Sequence, residues 1–369
     1  MLHMTPVLMR GYTFWDRALL PTDEFEERVR SVQAAMAKAG LDGLIVWSAG
    51  YHPNGDLAYL AGWPMGGALL LRREGEPTMF SPGGGRELYF QKMQTWVTEI
   101  SSTGGVLGSI IAKALNAKGV PDGSKIGLVG TQVLTSEGYV SAMRELGAFE
   151  LVNFDDEYHA ITDRKRPREV MTVGRALRIA QAAVAAGEAA HKAGASNARA
   201  LVEAERSARV DRARDFRGLA NIGGGDMRPY EGPSSEHSEP LLLWVGIDHH
   251  GYWADAVNPS AGPPGSPAAN AVEAMIKAAK AGAAAGDVAK AGLAALPASA
   301  AETALSYGLG SGIGLKLDEG PLIRPDGKET LTEGMLLTLR TFADVDGKTS
   351  LASAIVQIGP GGAERIEPR

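Results

Sequence analysis

The stretch WVGIDHHGYWADAVNPS, residues 244–260, decides the reading of the chain. It reads as a β-hairpin, with His249 and His250 at the turn and two strands rich in β-branched and aromatic residues around it. One strand presents a carboxylate, Asp255, and eleven positions earlier the other carries a bulky aromatic, Trp244. An acidic side chain on a buried-looking strand needs a partner that offsets its desolvation.

On the C-terminal side follows an Ala-rich helical region, roughly 268–296, in which Asp287 of the AGD stretch is a candidate cap. A second hairpin pattern comes after it, EGMLLTLRTFADVDGKTSLASAIVQIG. On the N-terminal side, FRGLANIGGGDMRPY also reads as a hairpin. Before it runs a long helix with Val170, Val173, Leu177 and Val184 on one face. The charged run TDRKRPRE, residues 162–169, marks a domain boundary. Upstream of it the pattern changes. Phe25, Val29, Val32 and Met36 fall on one face of a helix, with Asp23 as its expected cap and Gly40 as its end. GLIVW and SKIGLVG read as buried strands, GGALLLRREGEPTMF as a hairpin, and SIIAKAL as a helix. Strands alternating with helices predict an α/β domain over 1–163. Hairpins interrupted by helices predict an α+β domain over 164–369.

The 369 residues allow two real cores. A net charge of −6 gives no footprint for nucleic acid or for an anionic membrane. The absence of cysteine excludes disulfides, thiolate zinc sites and cysteine nucleophiles. No window reaches membrane-spanning length, and the first residues read as an ordered arm, so the expected location is cytoplasmic.

Four ordered stretches, DRKRPREVMTVGRALRIA, GYWADAVNP, GSGIGLKLDEGP and TEGMLLTLR, resemble the motifs of the creatinase / aminopeptidase P / prolidase family. The resemblance implies a pita-bread C-terminal domain. In metal-dependent members of that family, two Asp, one His and two Glu hold two divalent ions. Carried onto this chain, the first Asp falls on Trp244, the second is kept as Asp255, and the His falls on Ser311. The two Glu fall on Arg340 and about Ala352. A further family His falls on Asp318, beside a retained Glu319. A guanidinium stays protonated and repels cations. The carry-over therefore predicts no catalytic metal and no other cofactor. In their place it predicts an Asp255–Arg340 ion pair with Trp244 filling the remaining space.

The catalytic His of the family's metal-free branch should lie upstream of Trp244. There GGGDMRPYEGP offers Asp226, Arg228, Tyr230 and Glu231 instead. The first functional expectation is a metal-independent lyase acting on a small aromatic or carboxylated catabolite. Its alternatives are a creatinase-like hydrolase of a C–N bond and an inactive pseudopeptidase or binding module. The candidate acid–base and charge-stabilising groups are Arg340, Asp255, Glu319, Tyr230 and His250. The candidate substrate-lining groups are Trp244, Arg228, Tyr252, Ser311, Asp318, Tyr51 and His52. Against these stand bland readings: His249 and His250 as exposed turn residues, and His237 as a polar loop residue. The resemblance also implies a homodimer in which Tyr51 and His52 of one N-terminal domain border the partner's site.

Overall fold

The computed structural model describes residues 15–48, 55–63, 66–81, 83, 86–102, 107–222 and 226–369. The chain divides into two compact units between Thr162 and Asp163.

The first unit runs α1 (Thr22–Ala39), β1 (Gly43–Ser48), α2 (Asp56–Ala61), β2 (Gly67–Arg72), β3 (Thr78–Ser81) and α3 (Arg86–Gln91). It continues through β4 (Glu99–Ser102), α4 (Leu107–Ala117), β5 (Lys125–Val129), α5 (Ser136–Glu145), β6 (Glu150–Asn153) and α6 (Asp155–Thr162). Its sheet has the order β4-β3-β2-β1-β5-β6. The β1–β2–β3 meander is antiparallel, and the pairs β1/β5, β5/β6 and β3/β4 are parallel. Central β1 is buried along its whole length, which is why its sequence is a continuous apolar run. The predicted face of α1 is the buried one, and Gly40, at φ +72°, ends the helix in the left-handed conformation that glycine adopts without strain. Asp23 is not the cap. Pro21 takes that position, and Asp23 sits in the first turn, where its carboxylate accepts the Glu24 N–H at 3.0 Å and complements the helix dipole.

The second unit begins with α7 (Pro167–Lys192) and α8 (Asn197–Val210), then β7 (Asp215–Ala220), β8 (Leu243–His249) and β9 (Tyr252–Val257). The helices α9 (Pro267–Ala278), α10 (Ala285–Ala294) and α11 (Ala301–Tyr307) follow. The strands β10 (Gly310–Gly312), β11 (Glu319–Leu322), β12 (Leu336–Val345), β13 (Lys348–Gly359) and β14 (Gly362–Arg365) complete it. Two antiparallel sheets result, β7-β8-β9 and β11-β10-β12-β13-β14. α7 starts cleanly because Pro167 needs no N–H at the first position, and the Glu169 carboxylate reaches back to the Arg166 N–H at 3.0 Å. The Ala-rich region forms two helices, α9 and α10, separated at 279–284; α10 begins at the AGD stretch, but Asp287 lies inside its first turn without capping it. Small residues let the pair close: a Cβ on Gly292 would stand 2.6 Å from the Met275 side chain.

Strand parity then positions the site. Leu337, Leu339 and Ala343 of β12 pack into the core built by α9 and α10 with Ala271, Val272 and Met275. The alternate residues Thr338, Arg340 and Phe342 point to the opposite face. A slip of one residue would drive the guanidinium into the Ala-rich core, so the apolar pattern that folds this sheet also fixes where its polar groups emerge. Among the described residues, no helix is long and apolar enough to cross a membrane.

Candidate functional site

Asp255 is 1 % exposed and lies opposite Gly246 in the β8–β9 hairpin. Trp244, two residues before Gly246, is therefore its diagonal neighbour on the same face. The indole Nε1 donates to Asp255 Oδ2 at 2.9 Å. Gly246 makes the reach possible: a Cβ there would lie 3.2 Å from the Trp244 ring and 2.9 Å from Leu317. The other Asp255 oxygen accepts the Thr338 hydroxyl at 2.7 Å.

Arg340, two residues beyond Thr338 on β12, brings its Nη1 to 3.5 Å from Asp255 Oδ2. That is ion-pair range, but the Nη1 geometry makes no hydrogen bond, and Nη1 remains buried without an acceptor. Nη2 donates to Asp318 Oδ1 at 2.9 Å, and the same oxygen accepts the Ser311 hydroxyl at 3.0 Å. The guanidinium carbon stands 6.0 Å from the centre of the Trp244 ring. Burial opposes the charge on Arg340, but the carboxylates of Asp255 and Asp318 outweigh it and hold its pKa above the usual value. The guanidinium is thus a fixed cation. Asp318 differs from Asp255 in being open, with half of its side chain exposed.

A cavity of about 130 Å³ opens beside Arg340, walled by Trp244, Met227, Tyr307, Phe342 and Leu351. Tyr307 stacks on Phe342 with ring centres 4.3 Å apart. The Tyr307 hydroxyl accepts the Met227 N–H at 3.1 Å and contacts Asp226 at 3.4 Å. Burial, reinforced by the charge of Asp226, raises its pKa. Neither ring was among the candidates from sequence. Phe342 could have been found, because it follows Arg340 by one strand period, whereas Tyr307 arrives from α11 and carries no local signal. On the other side of Trp244 lies a wider cleft of about 350 Å³ with Leu201, Glu205, Phe216 and Tyr230 in its wall. A still larger hollow of about 520 Å³, between α7 and β13, holds Glu188 with its carboxylate already engaged by Asn258 and Ser260. Asp255 also lines this hollow, whereas Arg340 and Trp244 do not.

The remaining candidates fall as follows. Glu319 is not a free acid–base group: the buried Lys165 ammonium donates to it at 2.6 Å, and the Lys316 N–H takes its other oxygen at 3.1 Å. Tyr252 does not line the cavity; it is 1 % exposed, and its hydroxyl donates to Glu169 at 3.1 Å. His250 sits in the hairpin turn at φ +54°, edge-on to His249, remote from Asp255 along the strand. His249 beside it is not exposed but buried, and burial together with the neighbouring His250 lowers its pKa to about 4. Arg228 pairs its backbone with Ala220 at the rim and is exposed, as is Tyr230. Ser311 is fully buried and orients Asp318. Ala352 belongs to the helix-side core opposite Thr341, and the residue that faces Arg340 across the sheet is Ser353. Tyr51 and His52 lie outside the described residues.

The pattern of metallopeptidase family M24 matches residues 171–367. The structure resembles that of the X-Pro aminopeptidase from Thermotoga maritima MSB8, with a TM-score of 0.72 at 19% identity over 90% of this chain and 97% of that one. It also resembles the prolidase from Pyrococcus horikoshii OT3, at 0.72 and 18% over 92% and 97%. Dipeptidase PepE from Mycobacterium ulcerans gives 0.70 and 21% over 96% and 97%. No curated protein matches. The two-unit architecture and the match across the second unit agree with the four sequence motifs, and the chain belongs to metallopeptidase family M24, with an α/β N-terminal unit and a pita-bread C-terminal unit.

Proposed function

We propose that this chain is a metal-independent hydrolase of a C–N bond in a small substrate that carries a carboxylate and an apolar, preferably aromatic, body. The observation that carries the reading is Arg340. It is a permanently charged guanidinium pinned by Asp318 and Asp255, with one buried nitrogen lacking an acceptor, at the wall of an aromatic-lined cavity. A substrate carboxylate supplies the missing acceptor and gains a charge-assisted bond in a low-dielectric setting. The apolar body stacks among Trp244, Tyr307 and Phe342.

The side chains around Asp255 do not fit the divalent ions of the family. Its two oxygens are taken by Thr338 and Trp244, and a guanidinium stands 3.5 Å away. The neighbouring positions supply Ser311 and Ser353, which are neutral. A cation placed there would lose anionic ligands and face like-charge repulsion.

Asp318 is the base of choice, because it alone in the cluster combines an ionisable carboxylate with solvent access. In hydrolysis it takes a proton from water as the oxygen adds to the carbon of the C–N bond. Arg340 stabilises the negative charge that develops, and the departing nitrogen receives the proton as the bond breaks. The elimination that the sequence alone put first would use the same base and cation without water. Membership in a peptidase family favours hydrolysis. Turnover of pooled N-acyl and amidino carboxylates in ¹⁸O-water tests the reading. Label in the acid released from an N-acyl substrate, or in the urea released from an amidino one, supports hydrolysis; unlabelled unsaturated product shifts the reading to elimination, and failure of every carboxylate to bind overturns it.

A further inference from the structure

Outside the cluster around Arg340, two histidines and a glutamate meet where α7 ends against the loop that leads into β8. His191, in the last turn of α7, is 3 % exposed. Its Nε2 lies 3.2 Å from the Ser238 carbonyl. A carbonyl only accepts, so this bond places a proton on Nε2, and in the neutral ring Nδ1 is then the lone-pair donor. That Nδ1 stands 3.7 Å from a Glu239 carboxylate oxygen. His237 shows the complementary arrangement. Its Nδ1 lies 2.8 Å from the Ala195 carbonyl, and its Nε2, freed as an acceptor, stands 3.5 Å from the same Glu239 oxygen.

Two imidazole nitrogens and one carboxylate oxygen thus lie within 4.8 Å of one another. Around a four-coordinate zinc-like ion with bonds of about 2.1 Å, ligand atoms are separated by about 3.4 Å. The two separations to Glu239 are near that already. Each histidine also has the backbone carbonyl that commonly orients a metal-bound imidazole through its far nitrogen. The rings are stacked, 3.9 Å between centres and 6° from parallel, so their lone pairs run side by side. Bringing them onto one ion requires the more exposed ring, His237, to tilt, while His191 stays fixed. The negative end of the α7 dipole adds a favourable field for a cation.

We propose that His191 Nδ1, His237 Nε2 and a Glu239 oxygen form a binding site for one borderline divalent transition-metal ion of the zinc, nickel or copper type, open on one side to water. The site is separate from the cluster around Asp255 and does not depend on the reaction proposed there. Its role is to clamp the loop. Ser238 is tied to Asn197 by its N–H at 3.0 Å, and Asn197 in turn bonds Asn221 at 2.8 Å, so an ion there would fasten the segment entering the Trp244 strand to the α7–α8 corner.

Zinc titration of the purified full-length chain, followed by calorimetry and by thermal unfolding, tests the site. The expected result is one equivalent bound and a higher Tm, with affinity falling at least tenfold in His237→Ala and in Glu239→Gln. Copper(II) loading should give an electron paramagnetic resonance spectrum with two imidazole nitrogens. Asp255→Asn should leave zinc binding unchanged. Unaltered binding in His237→Ala, or no bound zinc in the wild type, would overturn the proposal. Loss of zinc in Asp255→Asn with a native circular-dichroism spectrum would move the ion to the other cluster and overturn it equally.

Discussion

Asp318 and Glu319 are adjacent carboxylates that meet two different cations. Glu319 is sealed against Lys165, with the two side chains 9 % and 1 % exposed. Burial opposes the Lys165 charge, but Glu319 and Glu169 outweigh it and raise its pKa. Asp318 leans on Arg340, itself a wall residue of the cavity, with half of its own surface in solvent. The same chemical pairing is therefore closed and saturated in one place, open and incomplete in the other. A closed pair stabilises one conformation, whereas an open pair with a spare donor can exchange a protein contact for a ligand.

This contrast can be broken in four ways, ordered by expected effect on stability. Lys165→Met should cost about 3–5 kcal/mol in urea unfolding, because it leaves Glu319 buried and uncompensated. Carboxylate binding by the folded fraction should remain within about twofold. If ligand affinity collapses with it, the two centres are one site. The turn end of the hairpin also belongs to the sealed kind. His249 has a folded pKa near 4 against an ordinary 6.5, so the unfolded chain binds the proton first. Stability from this group is complete above about pH 6.5 and is lost as pH falls towards 4, a total of about 3 kcal/mol. His249→Gln should flatten that part of the stability–pH curve, and an unchanged slope would reassign the residue to the open kind.

Arg340→Lys keeps the charge but removes the planar fork. A stability loss of about 1–3 kcal/mol is expected, with at least tenfold weaker carboxylate binding by calorimetry. Asp318→Asn should change stability by less than about 1 kcal/mol, since the carboxylate is half solvated. Its turnover should fall about 10²–10⁴-fold while binding persists. Equal activity of Asp318→Asn and wild type would remove the base from the mechanism.

Much of the fold was legible because the strands show their burial in sequence: GLIVW is apolar throughout, and in β12 Leu337 and Leu339 alternate with Thr338 and Arg340. The Asp255–Arg340–Trp244 grouping was legible from motif positions, since parity and register carry a side chain to a predictable face. What failed depended on contacts between distant segments. Nothing local marks Tyr252 as the partner of Glu169 or Lys165 as the partner of Glu319, both brought together by α7 and its approach. In the Ala-rich region the AGD stretch marked where α10 begins, but alanine favours helix at every position, so the extent of the break at 279–284 had little contrast against its flanks.

Gly246 carries one more consequence. The indole can lie across it because nothing projects from that Cα, so the tryptophan and the glycine function as a single fitted unit. A Cβ at 246 would press on Leu317 at 2.9 Å and on the outer edge of the indole at 3.2 Å, crowding the ring whose N–H holds Asp255. The smallest residue in the hairpin thereby sets the shape of the chamber, though it touches no ligand itself.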